Sequence, residues 1–298
     1  TKALLHSAEV YENAKNGADI GIIAQPVLDF TKVMERKNAV VKRLVDGIHA
    51  LLKANGVNII EGEGSFVDRT TVKVKTAYGE REIVSDKYII ATGSVPSTVP
   101  IKGIDSPQCI DSTGALSLEK CPESMVVIGG GVIGVEMATA YSSFGTKVTI
   151  VEMLPRLLMN MDEDMTAVAV KAIEKNGAEI MTSTKVVSVD NMGKKAVVTV
   201  EKDGVKEQIE AEKVLVCIGR IPNTDSLNLE AAGIECERRA IKVNDYMETN
   251  VRNIYAIGDC TGGTMLAHVA SAQGEKAAEN AMGNDSRYDS KTNPSCVY

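Results

Sequence analysis

Val126-Val127-Ile128-Gly129-Gly130-Gly131-Val132-Ile133-Gly134-Val135-Glu136 is the stretch on which the reading of this chain turns. An apolar run at Met125–Ile128 breaks on glycine and resumes with helical periodicity over Val132–Phe144; a second strand-like run follows at Lys147–Val151. The stretch is therefore a β–α–β unit with GxGxxG at Gly129, Gly131 and Gly134. With 25 glycines in the chain the triple alone is a weak signal, and the flanking strands and helix give it weight. Gly129 permits the tight turn, Gly131 lets a pyrophosphate approach the backbone, and Gly134 lets the helix pack close to the sheet. The free N–H groups at the helix start suit an anion, and Gly130, Val132 and Ile133 belong to the same expected cofactor site. Glu152 ends the second strand, about 20 residues past the turn, where an acid accepts hydrogen bonds from an adenosine ribose.

The charge of Glu152 would repel a 2′-phosphate, which argues for NAD over NADP; Arg156 is the one nearby feature pulling toward NADP. Composition sets the class around this unit. Hydrophobic residues at 44% and charged residues at 24% describe an ordinary globular α/β chain with enough apolar area for a sizeable core. A net charge of −7 without a basic block speaks against nucleic acid. The apolar runs fall short of the ~20 residues of a membrane helix, and no signal-peptide pattern opens the chain, so the expectation is a cytoplasmic protein. Cys109, Cys121, Cys217, Cys236, Cys260 and Cys296 form no CxxC or CxxxxC pair and no metal-ligand pattern, so they read as reduced, partly buried thiols.

Outward from the fingerprint, apolar residues from Val33 to Leu52 recur at helical spacing, with Thr31 as N-cap and Asn55-Gly56 as the stop. The remaining face of this helix is basic and reads as solvated. Strand signals follow at 57–62, 71–76, 82–85 and 88–91. Pro96, Pro100 and Pro107 then punctuate an irregular crossover. Beyond Glu152 come a helix at 162–176, strand-like segments within 185–211, a buried strand at 214–218, a strand at 253–257 and a helix at 266–282.

These residues resemble, in order along the whole chain, the FAD- and NAD(P)-dependent disulfide oxidoreductases, and most closely their dihydrolipoamide dehydrogenase branch. Thr1-Lys2-Ala3-Leu4 is similar to the tail of that family's redox motif, and Tyr88–Ser94 to the strand and Thr-Gly turn of its FAD domain. Cys217–Thr224 resembles its IGRxPNT loop, Ile254–Asp259 its second FAD motif, and Met265–Ala270 the continuation along the flavin. Asn293–Tyr298 resembles the first strand of its dimerisation domain. The Met-Leu-Ala-His segment and Ser112–Leu116 favour the lipoamide branch over glutathione or mercuric reductases.

The resemblance implies two Rossmann-like three-layer dinucleotide-binding domains. The FAD domain is discontinuous and incomplete, split into 1–122 and 251–290; the NAD domain at 123–250 is inserted in it, and 291–298 begins a dimerisation domain. It implies that Lys2 sits near flavin N5 paired with Glu136, and that Gly64 approaches the adenine end of FAD. Thr92, Gly93 and Ser94 would line that cofactor, Asp259 would accept from a ribityl hydroxyl, and Met265, Leu266, Ala267 and His268 would lie along the isoalloxazine. His268 would be a structural hydrogen-bonder. Val186 and Gly219 would contact NAD beside Gly129–Gly134 and Glu152.

The chain departs from the family pattern by holding one glycine fingerprint instead of two, no redox cysteine pair and no His-Glu base. It thus reads as a fragment cut at both ends, expected to bind NAD(H), to hold FAD weakly and to be inactive on lipoamide. Apolar edges are expected to lie open around 89–90 and 254–257. The parent would be a homodimer serving the lipoyl domain of a 2-oxo acid dehydrogenase, acetoin or glycine-cleavage complex. Two other readings stay open: a disulfide-free FAD/NADH oxidoreductase of the NADH oxidase or ferredoxin-reductase type, and a non-catalytic NAD-binding module.

Overall fold

The computed structural model describes all of Thr1–Tyr298 and divides into two compact units. The first comprises Thr1–Leu51, Pro96–Gly219 and Val297–Tyr298; the second comprises Leu52–Val95 and Arg220–Cys296. This partition cuts the chain differently from the segments read in the sequence. Helix Lys2–Lys15 and the start of helix Phe30–Ala54 need apolar cover, and they find it on the nucleotide-fingerprint helix Val132–Ser143. Leu4, Ala8, Phe30 and Met34 are buried in one cluster with Tyr141 and Phe144. The Phe30 ring stands 6.2 Å from Tyr141 and 5.9 Å, edge-on, from Phe144.

The first unit is built on five parallel strands, in the order Cys109–Ile110, Lys213–Val216, Ser124–Ile128, Lys147–Val151, Glu179–Met181. The chain steps outward from Ser124–Ile128 and returns on its other side with Lys213–Val216. That reversal leaves a crevice at the carboxyl ends of those two strands, where open α/β sheets bind ligands. The strand period of two sorts the core. Met125 and Val127 face the helices, while Val126 and Ile128 face an antiparallel sheet of Lys185–Asn191, Ala196–Lys202 and Val205–Ala211. The result is three layers: helices, parallel sheet, antiparallel sheet.

The second unit holds an antiparallel sheet of Glu63–Asp68, Thr71–Thr76 and Gly79–Val84, and a parallel pair, Tyr88–Ile90 with Ile254–Ala256. Helix Ala267–Ala281 buries Val269, Ala277 and Ala281. Residues 220–250 fall in this unit because Leu227, Leu229, Ile234 and Ile241 are buried with Ile90 and Ile254.

Three expectations are corrected, and one helix is new. Segment 57–62 is not a strand: no neighbour supplies the ladder bonds, and Val57, Ile59 and Ile60 stay exposed. The long helix begins at Phe30, capped by Asp29 rather than Thr31, with Asp29 Oδ1 accepting from Lys32 N–H at 3.0 Å. The same bond holds the Asp29 carboxyl below its ordinary value. The 14-residue helix Lys2–Lys15 had no counterpart in the sequence reading. Finally, the open apolar surface is not at 254–257, where Ile254, Tyr255 and Ala256 are buried, nor at Ile90; of that edge only Ile89 is exposed. It is the stripe Val41, Leu44, Val45, Ile48 and Leu51, each 45% or more exposed, on the helix whose apolar face periodicity assigns to a core.

Two outcomes follow. Leu4→Ala removes a side chain with 0% exposure from the helical cluster and is expected to cost roughly 2–5 kcal/mol in urea unfolding. The open stripe is expected to make the sedimentation coefficient rise with protein concentration, and a Leu44→Glu/Ile48→Glu double variant to abolish that rise.

Candidate functional site

Strand Ser124–Ile128 runs into a turn that only glycine can make. Gly129 has φ +107°, and a Cβ on it would lie 2.4 Å from the Cys217 carbonyl oxygen. Its N–H donates to Val151 O at 2.9 Å, while Cys217 N–H donates to Ile128 O at 2.8 Å, so three strands are tied at this point. A Cβ on Gly134 would lie 2.1 Å from Gly129 O, which is how closely the helix sits on the turn. Gly131 differs from both. It is the helix N-cap with φ −75°, and nothing lies within 4 Å of where its Cβ would be.

The first intrahelical bond runs from Val135 N–H to Gly131 O, and no side chain caps the helix. The amides of Val132, Ile133 and Gly134 therefore face outward with the positive end of the helix dipole. Open space beside Gly131, unpaired amides and that field fit a diphosphate.

Glu152 borders the same turn. Its Oε2 accepts from Gly130 N–H at 2.6 Å and its Oε1 from Leu154 N–H at 2.7 Å, which orients the carboxylate and leaves a lone pair on each oxygen for a ribose hydroxyl. Gly130 is needed beside it: a Cβ there would meet Leu157 Cδ2 at 2.3 Å and Glu152 Oε2 at 3.2 Å. Val186 lies half-buried in strand Lys185–Asn191, and Gly219, at φ +111°, follows strand Lys213–Val216. Cys217, beneath the turn, is buried, and burial pushes its thiol up to about 12, so it is a packed neutral group. No disulfide joins any of the six cysteines.

Glu136 is buried on the same helix, but no ion pair joins it to Lys2. Tyr298 takes both partners instead. Its backbone N–H donates to Glu136 Oε1 at 3.2 Å, and the Lys2 ammonium lies 4.4 Å above its ring.

The other singled-out residues belong to the second unit. Ser94 Oγ donates to Asp259 Oδ2 at 2.5 Å and accepts from Arg220 Nε at 2.7 Å; Arg220 Nη2 also reaches Ser94 O at 2.6 Å. Asn223 fastens the preceding turn through its N–H on Gly93 O, 2.9 Å, and its Nδ2 on Thr92 O, 3.3 Å. Arg220 and Asn223 lie inside the quoted Cys217–Thr224 motif, yet sequence alone assigned neither a role. Gly64 lies mid-strand opposite Val74, where a Cβ would make an ordinary 3.5 Å contact; the neighbouring Gly62 is the crowded one, 2.5 Å from Lys75 O. Met265 and Leu266 are half-buried ahead of helix Ala267–Ala281, and His268 Nε2 pairs with Pro294 O at 2.8 Å.

These residues offer a flavin nucleotide an oriented carboxylate for its hydroxyls. An oriented carboxylate is what a ribityl hydroxyl would need, so these residues fit that end of FAD.

No helix of the chain is long and apolar enough to cross a membrane. The chain is 43% identical over 300 residues to a dihydrolipoyl dehydrogenase of Geobacillus stearothermophilus and 40% identical over 301 residues to one of Bacillus subtilis. All of this chain is covered in both cases, and it spans 64% of the length of each relative. Among solved structures it is similar to LpdA of Mycobacterium tuberculosis, with TM-score 0.87 and 28% identity over 95% of this chain and 62% of that one. It is also similar to the HOCl-induced flavoprotein disulfide reductase RclA of Escherichia coli, with TM-score 0.83 and 30% identity over 96% of this chain and 61% of that one. The family profile described as pyridine nucleotide-disulphide oxidoreductase matches residues 1–274. With a fingerprint turn of this geometry and a match over most of its length, the chain belongs to the pyridine nucleotide-disulphide oxidoreductase family.

Proposed function

We propose that this chain carries the NAD-binding part, and a portion of the FAD-binding part, of a dihydrolipoyl dehydrogenase. The parent enzyme oxidises dihydrolipoamide to lipoamide and passes the electrons through FAD to NAD⁺. Segments 1–122, 123–250, 251–290 and 291–298 are the divisions we assign within that parent, as first FAD segment, NAD domain, returning FAD segment and start of the dimerisation domain. Its partners are a lipoyl domain of a 2-oxo acid dehydrogenase, acetoin or glycine-cleavage complex and a second copy of itself, in the cytoplasm. The similarity to dihydrolipoyl dehydrogenases at about 40% identity supports the choice of branch.

The observation that carries the reading is the turn at Gly129–Gly134, with open space at Gly131 beside unpaired amides and an oriented Glu152. NAD⁺ supplies hydride acceptance at its nicotinamide when bound. The chain's own contribution is binding: amides of Val132, Ile133 and Gly134 on the diphosphate, Glu152 on the adenosine ribose, and Val186 and Gly219 beside them. The 298 residues contain no CxxxxC pair, so there is no dithiol here to exchange with lipoamide. The chain by itself binds NAD(H), holds FAD weakly and does not turn over.

The glycines give a test that separates folding from binding. Gly131→Ala places a methyl in open space at an ordinary φ, so its melting temperature is expected to stay within about 2 °C of the parent chain while NADH affinity falls at least tenfold in fluorescence titration. Gly134→Ala, by contrast, is expected to unfold the first unit, because the methyl would overlap Gly129 O. Unchanged NADH affinity in Gly131→Ala refutes the assignment of the site. Lipoamide-dependent NADH formation is expected to be absent, and a measurable rate from the purified chain would refute the proposed inactivity.

A further inference from the structure

Arg156 is the residue the sequence left unresolved, since a cation four residues past Glu152 is where a 2′-phosphate would look for a partner. The structure spends it otherwise. Its Nη1 donates to Leu158 O at 3.2 Å, Met161 O at 3.1 Å and Thr166 Oγ1 at 3.2 Å, and its Nη2 to Met159 O at 3.2 Å. Three of the four acceptors are carbonyls of the loop that follows Arg156, and the fourth belongs to helix Glu163–Lys175.

That loop is welded to the nucleotide turn. Leu158 N–H donates to Gly130 O at 2.9 Å, and Leu157, 1% exposed, lies where a side chain on Gly130 would be. Leu158 itself is held at φ +49°, a left-handed conformation that a residue with a Cβ adopts only under constraint. The guanidinium bond to its carbonyl and its own N–H bond to Gly130 are that constraint. Upstream, the loop starts at Glu152, whose Oε1 is aligned by Leu154 N–H at 2.7 Å. Gly130 O, Gly130 N–H and both Glu152 oxygens are thus set by a loop whose far side is fixed by one arginine.

We propose that Arg156 is a positioning residue for the adenosine-ribose subsite, acting through the 156–161 loop on Gly130 and Glu152, and is not a reader of a 2′-phosphate. A planar fork with five donors is the side chain suited to gathering several divergent carbonyls, and lysine is not its equivalent. This inference rests on the reading of the turn as an NAD site.

The test is a titration of the purified chain and its R156Q, R156K and T166V variants with NADH, NADPH and NADH lacking the adenosine 2′-hydroxyl. The parent chain is expected to prefer NADH over both others. R156Q is expected to weaken NADH about tenfold, the loss of roughly one well-aligned hydrogen bond to a charged group. It should also shrink the gap between NADH and the 2′-deoxy form, a readout that general destabilisation does not move. R156K should recover only part of both. Should R156Q fail to fold, T166V, which removes one of the four acceptors together with the Thr166 Oγ1 bond to Asp162 O, is expected to show the same narrowing at smaller size. Selective loss of NADPH in R156Q, or an unchanged gap in folded R156Q and T166V alike, overturns the proposal. A parent chain that binds no dinucleotide refutes the NAD site itself, and this inference with it.

Discussion

The approach of Gly134 to the carbonyl of Gly129 is the contact on which the first unit depends. A methyl at 2.1 Å from a carbonyl oxygen has no accommodation short of lifting the helix from the sheet. At the same point Gly129 ties to Val151, and Cys217 ties to Ile128, so strands Lys147–Val151, Ser124–Ile128 and Lys213–Val216 all end within one turn's reach of the helix start. The amides that face outward are thereby fixed by backbone geometry rather than by side chains. An anion site of this kind costs no side-chain entropy to preorganise.

The same physics explains which isolated elements form and which do not. A helix satisfies its backbone hydrogen bonds internally, so Phe30–Ala54 is helical although Leu44, Ile48 and Leu51 lie open along one face. A strand satisfies none of its own, so Val57, Ile59 and Ile60, with a strand-like composition, join no ladder and stay exposed. Tyr88–Ile90 and Ile254–Ala256 are covered because each is the other's partner and Phe66, Leu227 and Ile241 complete a cluster around them. Apolar pattern therefore predicts helix existence better than it predicts burial. It predicts strands only where a neighbour is present.

Legibility followed the range of the interaction. The glycine turn, Glu152 and the helix at 163–175 were readable because spacing along the chain encodes them; the last ends where Gly177 takes φ +84°, within a residue of expectation. Thr71–Thr76 and Ala267–Ala281 were likewise readable from local alternation and period. The Asp29 cap was missed because Thr31 offers the same chemistry two residues later, and only geometry distinguishes them. Lys2 over Tyr298, Arg220 on Ser94, and Ser94 on Asp259 each join residues more than 100 positions apart, and no spacing announces such a contact.

Two half-buried carboxylates, one in each unit, show how differently a fold can treat one charge. Asp259 is linked through Ser94 to the Arg220 guanidinium, so its charge is compensated within a neutral chain of hydrogen bonds. Glu152 is held by backbone N–H donors alone, with no cation in an ion pair, while the nearest arginine in sequence is consumed by carbonyls. Its field toward the proposed ribose subsite is left uncompensated. A second negative charge brought to about 4 Å would meet roughly 1–4 kcal/mol of repulsion at effective dielectrics of 80 to 20, enough to separate NAD from NADP by about one to three powers of ten. The proposed preference for NAD therefore depends on Glu152 being present and equally on Arg156 being occupied.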